Sequence, residues 1–599
     1  MITTARKPLR LWPGVVIVIV QWLMRFVLPR VMPEELTKGV IGGMICGLAV
    51  LLWWLFFSRA PWFDRLGAVV LMIASYFATS HLIHISIKEG AQGLLFPILA
   101  IPVVSLALVA WALTTSRLSD GIRRVTMVAT IVIACGGWAL VKTGGFTGSF
   151  QNDLQWRWAK TPEERLLARS DNESVAIPPA QSPAKIPEKQ VMPKSETKPA
   201  APPSTSAGAI SFGAETSAVW PGFRGPHRDD VIPGVAIKTD WTTSPPVALW
   251  RRSVGPGWSS FAVQGDLVYT LEQRGPDEVV ACYKLSTGKP VWIHRDAARF
   301  WESNAGPGPR GTPTLSNGHV HTFGATGVLN ALNASDGTVV WSHNGVSGPD
   351  TKIPTWGFAS SPLVINDSVI VGVAGQLVAY DLVTGARRWA GPPRGVSYSS
   401  PHLVTIDGVD QVLQLSEAGV TSVAPSDGTL LWEHAWKGYP IVQPALTGDG
   451  DILISISESS GTRRIALARG PDGWSVQERW TSNALKPYFN DFVVHNGYAF
   501  GFDGSILACI DLKDGMRKWK GGRFGNGQLV LLRDQELLLV LSEQGELVLV
   551  PATPDQFTEL ARFQAIEGKT WNHPVLAGDI LLVRNGEEMA AFRLPLAGR

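Results

Sequence analysis

The stretch "LVAYDLVTGARRW", Leu377 to Trp389, sets an order of apolar run, Gly-containing pair and closing Trp that returns along the chain. "VVACYKLSTGKPVW" ends at Trp292, "LNALNASDGTVVW" at Trp341, "VTSVAPSDGTLLW" at Trp432 and "LACIDLKDGMRKW" at Trp519. Trp250 and Trp480 close further copies, and Phe563 takes the same place in another. A period of roughly 40–50 residues belongs to propellers and solenoids. Each period reads as short alternating strands between Gly, Asn or Asp turns. In "SSPLVINDSVIVGVAGQLVAYDLVTGARRW" the strands are predicted at 363–365, 369–374, 377–382 and 387–390. The Thr-Gly or Asp-Gly pair turns the third strand into the fourth, because Gly accepts a positive φ and Thr or Asp bonds the local backbone. Trp250, Trp292, Trp341, Trp389, Trp432, Trp480 and Trp519 then lie on outer strands and wedge between neighbouring blades, a structural role.

Eight copies are counted. The last, "HPVLAGDILLVRNGEEMAAFRLPL", has no closing Trp strand, whereas "PVALWRRSV" (246–254) is an outer strand with no inner strands before it. Pairing the two would close a ring and remove an exposed sheet edge. The reading is an all-β eight-bladed propeller over 218–599.

The rest of the chain is unlike this. Residues 1–142 are strongly apolar, with five stretches long enough to cross a bilayer as helices: 12–29, 39–57, 66–85, 94–114 and 125–142. No small-residue cleavage site follows the first, and four more spans do, so it is not a removable signal. Short loops on one side carry Arg6, Lys7, Arg10, Arg59, Arg65, Arg117, Arg123 and Arg124; those on the other carry Arg30, Lys38 and Lys88. The basic side is cytoplasmic, so the N-terminus is expected inside. Everything after 142 is then outside, which in a bacterium is the periplasm, with the spans in the inner membrane. Arg25 is expected to snorkel to the headgroups. His81 and His84 share one helix face. They are either hydrogen-bonded at the outer interface or placed near a quinone; no other span carries a His, so a haem bridged by two spans of one chain is excluded.

Residues 143–217 form the third region. "LQWRWAKTPEERLLARS" (154–170) reads as a short juxtamembrane helix with Thr161 as N-cap and Pro162 first. Residues 171–207, rich in Pro, Ala, Ser, Lys and Glu, read as a semi-extended tether.

Four cysteines, Cys46, Cys135, Cys282 and Cys509, give no disulfide framework, since two lie in spans and two share one slot of different repeats. The formal charge of +3 says little about partners. A phosphate loop, C-x-x-C, H-E-x-x-H and a G-x-S-x-G elbow are all missing. No basic aromatic stripe points to nucleic acid.

A site, if the propeller has one, lies where the innermost strands begin beside the central channel. Those positions read "WSSF" (258–261), "RGTP" (310–313), "ASSP" (359–362), "YSSP" (398–401), "VQP" (442–444), "FND" (489–491), "GNGQ" (525–528) and "WNHP" (571–574). A residue before Pro is pushed into extended conformation, which accounts for much of the pattern. It does not account for aromatics and an Arg gathering at one rim. Trp258, Arg310, Trp356, Tyr398, Gln443, Asn490, Asp491, Trp571 and His573 are therefore the candidate funnel residues for a partner or ligand, with no catalytic or metal-binding residue assigned.

The A-x-D-x-x-T-G-x-x-x-W copies resemble the pyrroloquinoline quinone (PQQ) repeat, and "WPGFRGPHRDD" (220–230) resembles the lead-in of bacterial PQQ-like propeller proteins. The resemblance covers about 218–599. It implies either a non-enzymatic interaction propeller, as in the outer-membrane assembly lipoprotein, or a quinoprotein dehydrogenase for sugars or alcohols that passes electrons to membrane quinone and carries PQQ with Ca²⁺. Five spans before a propeller are similar to the membrane-bound glucose dehydrogenase layout. The dehydrogenases, however, stack a vicinal Cys pair on the cofactor and are longer, and this chain has no adjacent cysteines. The expectation is a membrane-integral module that binds an envelope protein or small ligand, with no cofactor and no nucleic acid.

Overall fold

The structure, a computed structural model, describes residues 10–32, 35–147, 152–170, 219–344, 352–456 and 460–598. The tether expected at 171–207 lies outside these residues.

Five helices are long and apolar enough to cross a membrane: Trp12–Val31, Leu36–Phe57, Trp62–Leu82, Leu95–Thr114 and Asp120–Leu140. The fourth is the most enclosed and packs Trp111 edge-on against Trp54, ring centroids 5.8 Å apart. His84 caps the short helix Ile85–Lys88, its Nδ1 accepting from the Ser86 amide at 3.2 Å. His81 ends the third span, exposed.

The region after the last span corrects the expected helix over 154–170. Val141–Phe146 and Asn152–Trp156 pair as an antiparallel hairpin, and only Pro162–Ser170 is helical. Thr161 does cap it: Thr161 Oγ1 accepts from the Glu164 amide while the Glu164 carboxylate accepts from the Thr161 amide, a capping box. Trp156 stacks on Trp158 at 5.2 Å instead of joining a helical stripe.

Eight sheets form the propeller. Blades 2 to 6 have four strands each, in sequence order from the channel outward. In blade 3 these are Leu363–Ile365, Ser368–Val373, Gln376–Asp381 and Arg387–Ala390, each bound within one residue of expectation. Blade 8 takes three strands from the chain's end and its outer strand, Val247–Ser253, from its start. Trp250 opposite Ala591 marks that closure.

The closing tryptophans explain the cadence. Trp292 of blade 1 donates from Nε1 to the Ala334 carbonyl of blade 2 at 3.0 Å, and its ring lies over Gly337 in that blade's outer turn. Gly337 sits at φ 75°, and a Cβ there would stand 2.5 Å from the ring. Glycine thus makes the turn and vacates the space for the neighbour's indole. The same pairing joins Trp250 to Gly288, Trp341 to Gly385, Trp389 to Gly428 and Trp480 to Gly515. Trp432 departs from it. Its Nε1 donates to Gln411 Oε1 of its own blade at 2.6 Å, because blade 5 turns its outer hairpin much later, between Thr462–Gly470 and Gly473–Ser482.

Blades 1 and 7 carry a fifth, innermost strand that the repeat does not predict. Val219–Trp220 pairs with blade 1 and Val231–Ile232 runs parallel to blade 7. Between them, residues 221–230 rise into the channel and return, so the lead-in segment is a plug.

Candidate functional site

The loops before the innermost strands converge because each blade delivers one to the channel. Their small polar residues stitch blade to blade. The Ser260 amide donates to Thr312 Oγ1, Thr312 to Ser361 Oγ, Ser361 to Ser400 Oγ and Ser400 to Gln443 Oε1, at 2.9–3.0 Å; the Gln443 amide donates to Asp491 Oδ1 at 2.6 Å. This girdle satisfies buried amides that no sheet partner reaches. It ends at blade 6, where the plug takes over.

The plug puts charge into the channel. Arg224 is buried, with Nε 2.5 Å from Asp230 Oδ2 and 3.6 Å from Asp491 Oδ2. A second guanidinium nitrogen donates to the Phe492 carbonyl at 3.0 Å. Burial pulls its pKa down, but the two carboxylates more than offset this and hold it above the ordinary arginine value. Arg228 donates to the carbonyls of Pro362 and Ser361 at 2.8 and 3.0 Å. His573 lies 3.7 Å from both Asp230 and Asp491; burial pushes it down to about 4, so it is neutral at pH 7. Phe223, also on the plug, meets His573 edge-on at 5.0 Å and floors the space above.

Above that floor is a cavity of about 690 Å³, within the range of small-ligand sites. Trp258, Arg310, Trp356, Tyr398, Gln443, Asp491, Trp571 and His573 all line it. Asn490 does not. It is fully buried, and its Oδ1 accepts from the Tyr488 amide at 2.9 Å, bracing the loop. Arg310 lines the wall but is a brace too: it donates to the Trp356, Gly308 and Gly306 carbonyls, pairs with Glu302 at 3.1 Å and lies 4.9 Å over the Phe300 ring. An Arg at a strand start is indistinguishable in sequence from an anion receptor; only its neighbours decide.

Aromatic side chains dominate what remains. Trp258, Trp571, Phe489, Tyr488, Trp356 and Tyr398 form an unbroken row with successive centroids 4.7, 4.9, 5.3, 6.5 and 4.8 Å apart. Tyr488 belongs to blade 6 and Trp356 leads into blade 3, so the row crosses the mouth instead of following its rim. Phe489 stands in the "FND" (489–491) strand start, whereas Tyr488, the residue before it, was not among the candidate residues. Also missed were the cations Lys486, Lys520 and Arg523 on one wall. Lys520 and Arg523 sit on blade 6's outer strand, Arg517–Arg523, and nothing in the repeat separates them from ordinary surface charge.

The cavity faces the domain of the five apolar helices. Phe146, at the tip of the hairpin after the last span, lines it. The Phe146 amide donates to the Asn304 carbonyl at 3.0 Å, and Lys569 Nζ donates to the Phe146 carbonyl at 3.0 Å. Lys569 also stands 4.3 Å from the Trp571 ring centroid. Ser303 Oγ donates to the Glu89 carbonyl, between the third and fourth spans, at 3.1 Å. Glu163 on the short helix takes Arg299 through both oxygens, at 2.8 and 2.9 Å.

PQQ with Ca²⁺ would need converging oxygen ligands for the ion. Asp230 and Asp491 converge, but Arg224 lies between them and spends their charge. Among the described residues no group of three or more His, Cys, Asp or Glu is arranged to hold a metal. The donor set does not fit the ion.

A family model described as outer membrane protein assembly factor BamB matches residues 247–408 and 416–588, more than half of the chain. The chain is 25% identical over 289 residues to the outer membrane protein assembly factor BamB of Yersinia pestis, covering 46% of this chain and 61% of that protein. The Shewanella oneidensis protein of the same description is 23% identical over 384 residues, 58% of this chain and 89% of that one. Among solved structures, BamB from Moraxella catarrhalis aligns at TM-score 0.44 and 12% identity over 59% of this chain and 99% of that one. A quinohemoprotein alcohol dehydrogenase from Comamonas testosteroni aligns at 0.45 and 13%, over 65% and 82%.

Proposed function

Because the chain belongs to the family described as outer membrane protein assembly factor BamB, we propose that its propeller is a protein-interaction module of the bacterial envelope. It works by binding and not by turnover. The aromatic row across the cavity mouth carries this reading: rigid Trp and Tyr side chains supply contact area at low entropy cost and dominate protein interfaces. The five spans hold the module at the inner membrane, with the propeller on the periplasmic side. Two observations support that orientation. The basic loop residues fall eight to three in favour of the side bearing the N-terminus. The propeller's contacts to the membrane domain, through Glu89, Phe146 and the hairpin, all use segments of the opposite side.

The test places a photocrosslinking amino acid at Tyr488 or Trp356, and as controls at Val339 and Leu430 on exposed outer strands. Adducts to an envelope protein are expected at the two mouth positions alone. Equal labelling at all four would break the reading. So would stoichiometric uptake of PQQ and Ca²⁺ with dye reduction on a sugar or alcohol. Alkaline phosphatase fused after Thr147 should be active, and fused after Ser119 inactive; the reverse would overturn the orientation.

A further inference from the structure

The cavity is lopsided in charge. On the wall that blade 6 provides, Lys486, Lys520 and Arg523 face the space, and the one carboxylate among them is Asp503. Asp503 is already shared three ways. Lys486 Nζ stands 3.1 Å from Oδ1, while Lys520 Nζ and Arg517 stand 2.7 and 2.6 Å from Oδ2. The other acids nearby are spent elsewhere: Asp491 on Arg224 and the Gln443 amide, Glu302 on Arg310. Three cations, Lys486, Lys520 and Arg517, on one carboxylate leave this part of the wall short of negative charge. The concave wall focuses that field on whatever enters the cavity. Facing the cations is the aromatic row, whose rings already tilt against one another at 37–57° except where Tyr488 meets Trp356 edge-on at 79°. Tilted and edge-on contacts are what a further aromatic ring would extend.

Resting on the reading of the propeller as a protein-interaction module, we infer that this cavity takes a short acidic segment of the partner polypeptide that also carries an aromatic side chain. Its carboxylates meet Lys486, Lys520 and Arg523, and its ring joins the row between Trp571 and Trp356. A basic segment is rejected by the same wall, so the cavity contributes specificity and not only area.

The test uses the full-length protein in phospholipid nanodiscs and the acetylated, amidated peptide Asp-Phe-Asp-Phe-Asp, followed by the tryptophan fluorescence of the row. Saturable quenching is expected, weakened at least about tenfold in K486Q/K520Q and strongly reduced in about 0.5 M salt. Arg517 still holds Asp503 in that variant, and an unchanged melting temperature verifies it; R523Q provides a second variant away from Asp503. The Lys-Phe-Lys-Phe-Lys counterpart should not quench. Equal binding of both peptides, or of the acidic peptide to wild type and both variants, overturns the proposal. Tighter binding of hexagalacturonate than of the peptide would replace it with an acidic glycan. If photocrosslinks at Tyr488 and Trp356 persist while the peptide fails, the segment chemistry is wrong and the interaction reading stands; if both fail, both fall.

Discussion

Around the outside of the ring, six of the seven closing tryptophans make one contact, Nε1 to a carbonyl in the next blade's outer turn. Around the inside, eight strand starts share a position but not a residue: Thr312, Ser361 and Ser400 accept by hydroxyl, Gln443 by its side-chain amide and Asp491 by carboxylate, and the run then stops at the plug. The outer seam has one task, repeated, so one residue type suffices. The inner ring must also seat the plug and line a cavity, and each position answers to a different neighbour. Uniformity marks the part that builds; variation marks the part that binds.

If that contrast is right, the harshest change belongs to the inside. Arg224→Met strands Asp230 and Asp491, both buried, without their shared cation. Stripping one partner from a buried pair costs 3–5 kcal/mol, and with two carboxylates exposed to the loss about 5 kcal/mol is expected by denaturant unfolding of the full-length protein. Adding Asp491→Asn should recover part of it. A loss under about 1 kcal/mol would mean that the plug is an ornament and the channel stands without it. Next comes a seam. Trp292→Ala removes a side chain that is 1% exposed together with its bond to Ala334, and about 4 kcal/mol is expected for a large-to-small change of this kind.

The same contrast decides how far the sequence could be read. The strands of blade 3 were legible to within a residue because alternation, the Thr-Gly turn and Trp389 all point to one register. Ring closure was legible because "PVALWRRSV" lacked the strands that should precede it. The plug was visible as a motif but not as a plug. Arg224 finds Asp491 and Arg228 finds Ser361 across well over a hundred residues, and no local period encodes such a meeting. The hairpin Val141–Phe146 was hidden behind the last span, where its strand of Gly and Lys has neither helical nor alternating pattern. Of the candidate funnel residues, those that precede an innermost strand came together because the fold delivers them. What each does there, as Arg310 and Asn490 show, was set by partners the sequence places elsewhere.

A pH measurement sharpens the comparison at smaller cost. His402 begins the innermost strand of blade 4, and burial, with Arg224 and Arg228 near, pushes it down to about 3. Unfolding returns it to an ordinary value near 6.5, so between these values the unfolded chain binds a proton that the folded one refuses. Its contribution to stability is whole above about pH 6.5 and is lost as pH falls, by about 1.4 kcal/mol per unit. Unfolding of wild type and His402→Gln between about pH 7.5 and 4.5, a range that covers the upper part of the window, should show the variant losing less on acidification. Parallel curves would place His402 outside the charged centre.

The finest test lies within the outer seam itself, at its one irregular member. Trp432 bonds Gln411 of its own blade at 2.6 Å, and Gln411 Oε1 keeps a second donor, Ser422 Oγ, at 2.7 Å. Trp389 instead bonds the Pro425 carbonyl of the next blade at 3.1 Å and lies over Gly428. Trp→Phe at either site keeps an aromatic wedge and deletes the Nε1 donor. At 432 the acceptor stays satisfied by Ser422; at 389 the Pro425 carbonyl loses the bond that ties two blades. Leaving a fully buried acceptor unpaired costs about 1–3 kcal/mol, and the part-buried Pro425 carbonyl falls at the low end, while deleting a bond whose acceptor is otherwise served costs less. Trp389→Phe should therefore destabilise by about 1 kcal/mol more than Trp432→Phe. Equal losses would show that the tryptophan's value is its area alone, and that the indole-to-turn bond, however regularly it recurs, is not what selects Trp over Phe on these strands. A larger loss at 432 would invert the comparison, making the seam between blades 4 and 5, where the long hairpin stands in for the glycine turn, the one most dependent on its Trp.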